Sequence, residues 1–374
     1  SGRPGARSLG RTLRLVGRAG GLGGPLRPLR IARLLPRRQF LGQAAGCLGA
    51  VLCGCLESPR TLNFYNWSLF IGPDTLPRFQ KETGIQVNYE EFSSADVMFA
   101  KLKIGVTGYD LVVSPDYMLR RLIRHRLVGK LPRKVARDSL YARLQSPPWD
   151  PQLEYSIPYL WGSTGIAYLK HKVSRPPDSW QALWSGEVGR RGTLLDEKGD
   201  TLRAALIHCG FSGNSTRPEE LQVAKQSLLE QKKWVRRYTS DFVDDLIRQE
   251  TYLALAWSGD VHTAVQSEPR VGYAVPREGS FLFVDNLCIP ASAPHPEAAM
   301  QFIEYYLQPE VAAGVTNGCG YANPVEAAER FVQPELLADP LTYPSKEVMG
   351  RLVFQEDLGP AERLWDQIWE EIKR

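Results

Sequence analysis

The folded part of this chain begins by alternating strand-like and helix-like segments, and this alternation restricts the possible fold more than any other feature. The segment 61–67 alternates apolar and polar side chains with a period of two, as a half-buried strand does. Pro73 then opens a helical pattern, which Gly84 ends. A second strand, a second helix and a third strand follow at 85–89, 96–103 and 109–114. This order predicts a parallel sheet with crossover helices.

The same alternation returns near 190–280, so the sequence predicts an α/β fold with two lobes. A chain of 374 residues also exceeds the size of one ordinary hydrophobic core. We expect two mixed, mostly parallel sheets with flanking helices and a ligand cleft between the lobes. The predicted bounds are 61–166 plus 286–331 for lobe 1, and 167–285 plus 332–374 for lobe 2.

Ligands of parallel sheets bind beyond the carboxyl ends of the strands. In the first lobe, these ends are followed by Trp67, Ser68 and Phe70 after the first strand, and by Asp116 and Tyr117 after the third. These positions are therefore candidates for one wall of the cleft.

The segment 281–290 is apolar and strand-like, yet Asp285 stands in its middle. Burial of a carboxylate is costly unless a cation or several donors face it. Phe281 and Phe283 share one strand face with Asp285, since side chains alternate along a strand. An acid beside aromatic faces suits a desolvated ammonium group. A structural role, in which Asp285 caps a helix or pairs with an arginine, is an equally open interpretation.

Other acids at strand ends and turns interleave with aromatic residues in a similar way. A polyamine requires carboxylates spaced along a flexible chain, with flat apolar rings between them. Each acid alone also has a structural interpretation: Asp200 could cap the helix that opens at Thr201, and Asp260 could be a turn residue. The set comprises Glu197, Asp200, Asp260 and Asp285 with Trp67, Tyr117, Trp257 and Phe283.

The positive charge of the chain belongs to its beginning. Residues 1–55 hold ten Arg and no Lys, Asp or Glu. The remainder holds 36 Lys and Arg against 41 Asp and Glu, a net charge of −5. A nucleic-acid-binding protein usually keeps a basic face in its folded part, so the composition argues against nucleic acid as a partner.

This basic leader carries a targeting signal. Segment 37–41 (Arg-Arg-Gln-Phe-Leu) resembles a twin-arginine export motif, and the apolar run 41–52 is too short to span a membrane. Segment 52–55 resembles a bacterial lipobox in which Cys55 is the lipidated residue. We therefore expect a lipid-anchored protein on the outer face of the cytoplasmic membrane, with 56–60 as a short tether.

Cysteines and histidines give no metal or cofactor signal. Beyond the leader only Cys209, Cys288 and Cys319 remain, and they are far apart without ligand spacing. Two interpretations stay open: one disulfide with one free thiol, or three buried thiols. We expect neither a metal site nor a cofactor.

Several motifs, in this order, resemble the bacterial polyamine-binding proteins, which are the spermidine- and putrescine-binding components of ABC importers. The resemblance covers roughly 61–374. The segments that carry it are 62–67, 73–75, 79–85, 109–113, 155–159, 161–162, 210–214, 320–321 and 354–355, with Asp285 in its strand.

The resemblance implies a periplasmic-binding-protein fold, type II-like, and a set of ligand-binding residues. One lobe would supply rings that sandwich the methylene groups of the ligand, and the other would supply acids that pair with its ammonium groups. Tyr321 and Gln355 would add polar contacts. The implied residues are Trp67, Ser68, Phe70 and Tyr117 in the first lobe, and Glu197, Asp200, Trp257, Asp260, Phe283, Asp285, Tyr321 and Gln355 in the rest of the cleft.

The resemblance also implies partners and a location. The protein would be a periplasmic monomer that binds spermidine or putrescine and delivers it to a membrane permease powered by an ATPase. One departure concerns the ligand: the family has an acid where this chain has Leu69, so one ammonium partner is missing, and Asp116 is a candidate replacement.

Two other classes of function stay open, besides a polyamine sensor that would signal without transport and would differ only in its membrane partner. One is a binding protein for another cationic solute, such as a different amine, a guanidino compound or an amino acid. The other is an exported enzyme, for which the Glu197 and Asp200 pair is the sole support. The sequence has no nucleophile elbow, phosphate loop or metal-ligand spacing, so we expect no catalytic residue.

Overall fold

The structure is a computed structural model that describes residues 60–105 and 108–374. The twin-arginine motif, the lipobox with Cys55 and nearly all of the predicted tether lie outside these residues. Within the described ranges, no helix is long and apolar enough to cross a membrane.

Strands and helices alternate over most of the described chain. The strands are β1 (Thr61–Trp67), β2 (Gln86–Phe92), β3 (Leu111–Pro115), β4 (Ser156–Leu169), β5 (Gly192–Leu194), β6 (Val235–Tyr238), β7 (Leu253–Trp257), β8 (Val271–Ala274), β9 (Ser280–Cys288) and β10 (Leu352–Phe354). The helices are α1 (Thr75–Thr83), α2 (Ala95–Ile104), α3 (Asp116–Arg124), α4 (Lys198–His208), α5 (Pro218–Gln231), α6 (Phe242–Ile247), α7 (Ser258–Ser267), α8 (Pro296–Tyr306), α9 (Pro309–Cys319), α10 (Pro334–Leu337), α11 (Lys346–Gly350) and α12 (Glu362–Lys373).

The strands form one curled sheet in the order β2-β1-β3-β9-β4-β7-β5-β6, with β10 paired to β9 and β8 paired to β4. Pairing is parallel at both ends of this order, where β1 contacts β2 and β3, and where β5 contacts β6 and β7. Around the centre it is antiparallel, because β9 runs against β3 and β4, and β4 runs against β7. The fold is therefore α/β with a mixed sheet.

Strand β4 joins the two halves of this sheet. Its first part, Ser156 to Ser163, pairs with β9, whereas its second part, Thr164 to Leu169, pairs with β7 and β8. All fourteen of its residues are buried, as expected for a strand covered on both faces. The two halves of the sheet thus share strand β4.

Hydrophobic cores on the two sides of this strand define two lobes. In the first lobe, two clusters surround β1, β3 and β9, with Phe64, Leu111 and Leu287 among their fully buried residues. In the second lobe, one cluster surrounds β5 and β7, and α12 packs on it through Trp365 and Ile368. The bounds predicted from the sequence for each lobe stay a prediction.

The alternation found in the sequence produces the first lobe directly. Gly84 adopts a left-handed conformation (φ 70°) and ends α1, so that the chain can return as β2 beside β1. The segments Trp180–Leu183 and Glu326–Phe331 form short 3₁₀ helices. Cys209, Cys288 and Cys319 are all free thiols.

Candidate ligand-binding site

One cavity brings together all twelve residues that the sequence analysis assigned to ligand binding. It holds about 530 Å³ of empty space, part of it open to solvent. That these residues bind a ligand stays a prediction. The lining residues are Trp67, Ser68, Phe70, Pro115, Tyr117, Glu197, Asp200, Trp257, Asp260, Phe283, Asp285, Tyr321 and Gln355.

Residues from the first lobe form what we call the neutral wall. It consists of Trp67, Ser68, Phe70, Pro115 and Tyr117, none of which carries a charge. They follow the carboxyl ends of the parallel strands β1 and β3, where a sheet of this kind places its ligands.

The other eight lining residues form the acidic wall, which contains all four carboxyl groups of the cavity. Glu197 precedes α4 and Asp200 lies in its first turn, while Asp260 lies in the first turn of α7. A helix N-terminus favours negative charge, so these positions help to hold acids in a desolvated place. Asp285 comes from β9.

Asp285 connects the two walls. Its Oδ1 accepts a hydrogen bond of 2.8 Å from Nε1 of Trp67, and its side chain is 5% exposed. Burial raises the pKa of Asp285 to about 7, although the indole donor opposes this shift. A cation placed beside the carboxyl group would supply the missing counter-charge.

Asp200 is the most fully hydrogen-bonded acid of the cavity. It accepts bonds from Oγ1 of Thr164 (2.8 Å), Nε1 of Trp257 (3.3 Å) and Nε2 of Gln355 (3.4 Å). Burial raises its pKa, while the bond from Thr164 and the charge of Arg203 act in the opposite direction. These donors hold Asp200 in one orientation.

Asp260 is fixed by an aromatic cluster. The hydroxyl of Tyr321 donates to Oδ1 of Asp260 at 2.6 Å and accepts from its backbone N–H at 3.1 Å. The Tyr321 ring packs against Phe70, with centroids 4.5 Å apart. A Cβ on Gly259 would lie 2.3 Å from the Tyr321 ring, so only glycine permits this approach. Burial raises the pKa of Asp260 to about 6, against the hydrogen bond from Tyr321.

Two acceptors of the acidic wall have no hydrogen-bond partner within the described residues. These are Oε1 of Glu197 and Oε1 of Gln355, both buried. Burial raises the pKa of Glu197 well above its usual range, and the neighbouring charge of Asp200 adds to this shift. A buried acceptor without a donor is energetically costly, so this end of the cavity is suited to a ligand that brings N–H groups.

Three residues near the cavity differ from what sequence reasoning indicated. Pro115 lines the cavity, and no sequence signal pointed to it. Asp116 does not line it: the residue is fully buried and accepts hydrogen bonds from the backbone N–H groups of Tyr117 (2.7 Å) and Val284 (3.3 Å). Leu69 is 62% exposed in a left-handed conformation (φ 61°) outside the lining.

Arg203 is the residue that sequence reasoning missed. It is fully buried and lies behind Asp200 without lining the cavity. Its position three residues after Asp200 on α4 placed both on one helix face, and this spacing was the signal available. Among the described residues, no three metal-binding side chains cluster in a way that could hold a metal ion.

A cleft between two α/β lobes, lined by acids and aromatic rings, is typical of a protein that binds a small solute. Comparison with known proteins agrees with this class: residues 76–342 match the family model described as bacterial extracellular solute-binding protein. The chain belongs to this family.

Relatives and solved structures share most of its length. A spermidine/putrescine-binding periplasmic protein of Salmonella typhimurium is 32% identical over 88% of this chain and 97% of its own length. A putrescine/agmatine-binding protein of Pseudomonas aeruginosa is 34% identical over 87% of this chain and 95% of its own. A putative spermidine/putrescine ABC transporter from Listeria monocytogenes has a TM-score of 0.79 at 29% identity, covering 84% of this chain and 99% of that one.

Proposed function

We propose that this protein captures a polyamine, spermidine or putrescine, and delivers it to an ABC transporter in the membrane. One observation carries the proposal: four desolvated carboxyl groups and a set of aromatic rings face the same cavity. Burial raises the pKa of Glu197, Asp260 and Asp285, so a cation that paired with these acids would offset the cost of their desolvation. The names of the relatives point to the same class of ligand.

The mechanism is capture by lobe closure. The aromatic rings of the cavity cover the methylene groups of the ligand; they are Trp67, Phe70, Trp257 and Phe283. Ammonium groups pair with the four acids. Closure of the cleft excludes water, which strengthens each ion pair because the local dielectric falls.

Solutes that carry a carboxylate fit the cavity poorly. None of the thirteen lining residues is Arg or Lys, and the one arginine nearby, Arg203, is fully buried behind Asp200. A carboxylate next to four acids would be repelled. This favours an amine over an amino acid.

The remaining parts of the proposal concern partners and location. The protein works as a monomer outside the cytoplasm, with a permease and an ATPase as its partners. Export by the twin-arginine route and lipidation at Cys55 would anchor it to the outer face of the membrane. It binds and releases its ligand without chemical turnover, and it needs no cofactor.

Calorimetric titration of the purified chain with putrescine, spermidine and arginine tests this function. We expect micromolar or tighter binding of at least one polyamine, roughly −8 kcal/mol or better, and no heat with arginine. Polyamine recovered unchanged after prolonged incubation would separate binding from turnover. An absence of binding to both polyamines would contradict the proposed function.

A further inference from the structure

Gln355 reaches the cavity from a short segment that a side chain on another element holds in place. The residue follows β10, is 4% exposed, and directs its Nε2 toward Asp200. Its neighbours on both sides are bonded to Asn214, which lies in the loop between α4 and α5. This loop was among the motifs of the sequence that the cavity itself does not use.

The amide of Asn214 acts as a one-residue strand partner. Its Nδ2 donates to the carbonyl oxygen of Phe354 at 3.0 Å, and its Oδ1 accepts from the N–H of Glu356 at 3.1 Å. These are the two backbone groups that flank Gln355. In an extended segment they fix the plane of the backbone, and with it the direction of the intervening side chain.

Arg203 completes this arrangement. Its Nη2 donates to the carbonyl oxygen of Glu356 at 3.0 Å, and its Nε donates to Oδ1 of Asn214 at 3.3 Å. The guanidinium carbon lies 5.1 Å from the ring centroid of Trp365 and 5.6 Å from that of Tyr117. The arginine is thus fixed between rings while it bonds both Asn214 and the segment that carries Gln355.

Close packing fixes the distance between β9 and the loop that carries Asn214. A Cβ on Gly213 would lie 2.2 Å from Cζ of Phe281, so the loop touches β9 in a way that only glycine allows. Phe281 in turn pairs with Val353 of β10. The loop, β9 and β10 therefore form one unit in which Asn214 faces the backbone on either side of Gln355.

We propose that Asn214, supported by Arg203, is a positioning residue for ligand binding that acts through Gln355. This inference rests on the proposed function, since it assigns Gln355 a contact with the ligand. Without the amide of Asn214, the segment 354–356 loses the two bonds that flank Gln355, and Nε2 of Gln355 is no longer held beside Asp200.

A double-mutant cycle tests whether Asn214 affects ligand binding through Gln355. We expect Gln355→Ala and Asn214→Ala each to weaken polyamine binding about tenfold, as loss of a hydrogen bond to a charged group does. The double variant should bind no more than about twofold more weakly than Gln355→Ala alone, because residues that act through one contact are not additive.

The chain provides a matched control. Asn317 makes the same pair of bonds around a different residue: its Nδ2 donates to the carbonyl oxygen of Phe331 (3.1 Å) and its Oδ1 accepts from the N–H of Gln333 (2.9 Å). Asn317 does not line the cavity. Asn317→Ala should leave polyamine affinity within about twofold of the unmodified chain.

Hydrogen exchange of the ligand-free protein gives a readout independent of any ligand. Asn214→Ala should accelerate exchange at 354–357, whereas Asn317→Ala should accelerate it at 331–334 only. Unchanged exchange at 354–357 would overturn the inference whether or not polyamines bind. Additive losses of affinity in the double-mutant cycle would also overturn the inference, as would a Gln355→Ala variant with normal affinity for polyamine. Failure of the unmodified chain to bind polyamine, with the exchange result as expected, would refute the proposed function and leave Asn214 as the residue that positions Gln355.

Discussion

The two walls of the cavity differ in charge, although both bear aromatic rings. The neutral wall comes from the ends of β1 and β3 and contains no ionisable acid or base beyond the Tyr117 hydroxyl. The acidic wall holds all four carboxyl groups, three of them at or next to helix N-termini or in their first turns. We therefore expect one wall to recognise the ammonium groups and both walls to cover the methylene chain.

This difference explains why the polar contact between Trp67 and Asp285, on opposite walls, is a hydrogen bond rather than an ion pair. Trp67 donates its indole N–H to Asp285, so that the neutral wall orients an acid of the opposite wall. A cation on the neutral wall would neutralise this acid and compete with the ligand. An indole donor orients the carboxyl group and leaves its charge available.

The largest expected effect comes from removing the acid at the contact between the walls. Asp285→Asn keeps the shape of the side chain and removes its charge, and we expect polyamine binding to weaken by about 100-fold. The exposed Asp74 gives a control with the same chemical change, and Asp74→Asn should bind normally. Equal affinities of the two variants, measured by calorimetry, would show that Asp285 does not contact the ligand.

A smaller loss of affinity is expected when Trp67, the hydrogen-bond donor to Asp285 on the neutral wall, is substituted. Trp67→Phe retains an aromatic ring and loses the donor to Asp285, and we expect an affinity loss of about fivefold to tenfold. Trp149 is a matched control, because its Nε1 donates to Oδ1 of Asn286 on the same strand (3.0 Å) but it lies outside the cavity. If Trp149→Phe lost as much affinity as Trp67→Phe, the loss would reflect the stability of β9 and not the contact between the walls.

The raised pKa values predict opposite pH dependences for binding and for stability. Asp285, with a pKa of about 7, must be ionised to pair with an ammonium group. Affinity should therefore fall about tenfold between pH 8 and pH 6. Calorimetry at both pH values measures this change, and in Asp285→Asn we expect most of it to disappear.

The contribution of Asp285 to the free energy of unfolding of the ligand-free protein should fall as the pH rises, whereas the affinity for polyamine should increase. In the unfolded chain the Asp285 carboxyl ionises near 3.8, whereas the folded protein keeps it protonated up to about pH 7. Its contribution to the free energy of unfolding is therefore fully present below pH 4 and is lost as the pH rises to 7. Parallel pH profiles of affinity and ligand-free stability would contradict the assigned role of Asp285.

The smallest expected effect comes from adding charge to the rim of the neutral wall. Leu69→Asp places a carboxylate on an exposed turn, and aspartate tolerates the left-handed conformation found there better than leucine does. We expect the affinity for spermidine relative to putrescine to rise by about twofold to fivefold, the range of an exposed ion pair. Leu69→Asn is the uncharged control. If Leu69→Asp and Leu69→Asn changed the ratio of spermidine affinity to putrescine affinity equally, the change would be due to the backbone conformation of the turn and not to the added charge.

Local patterns predicted the parts of the fold that depend on local sequence. The alternation of 61–114 predicted β1 with the same bounds as in the structure, and the strand ends that follow it indicated Trp67 and Tyr117 for the cleft. Except for Asp116, the expected acids and rings line the cavity. Several of them lie at strand ends or in first helical turns, which a sequence pattern can locate.

Features that depend on long-range pairing could not be predicted in this way. That β4 serves both lobes follows from its pairing with β9 and β7, which are more than 80 residues away. The bonds from Asn214 to the segment that carries Gln355 join positions 140 and 142 residues apart. In the sequence, Arg203 is an ordinary polar residue of a predicted helix. Only the tertiary structure shows that its guanidinium group lies among aromatic rings.

The central claim is that the acidic wall recognises paired ammonium groups on a chain that both walls cover. The most direct test is calorimetric titration of the unmodified protein at pH 8 with putrescine and with 1,4-butanediol, which has the same number of methylene groups and no charge. We expect saturable binding of putrescine and at least about 100-fold weaker binding of the diol. Equal binding of the two compounds, or binding of neither putrescine nor spermidine, would contradict it.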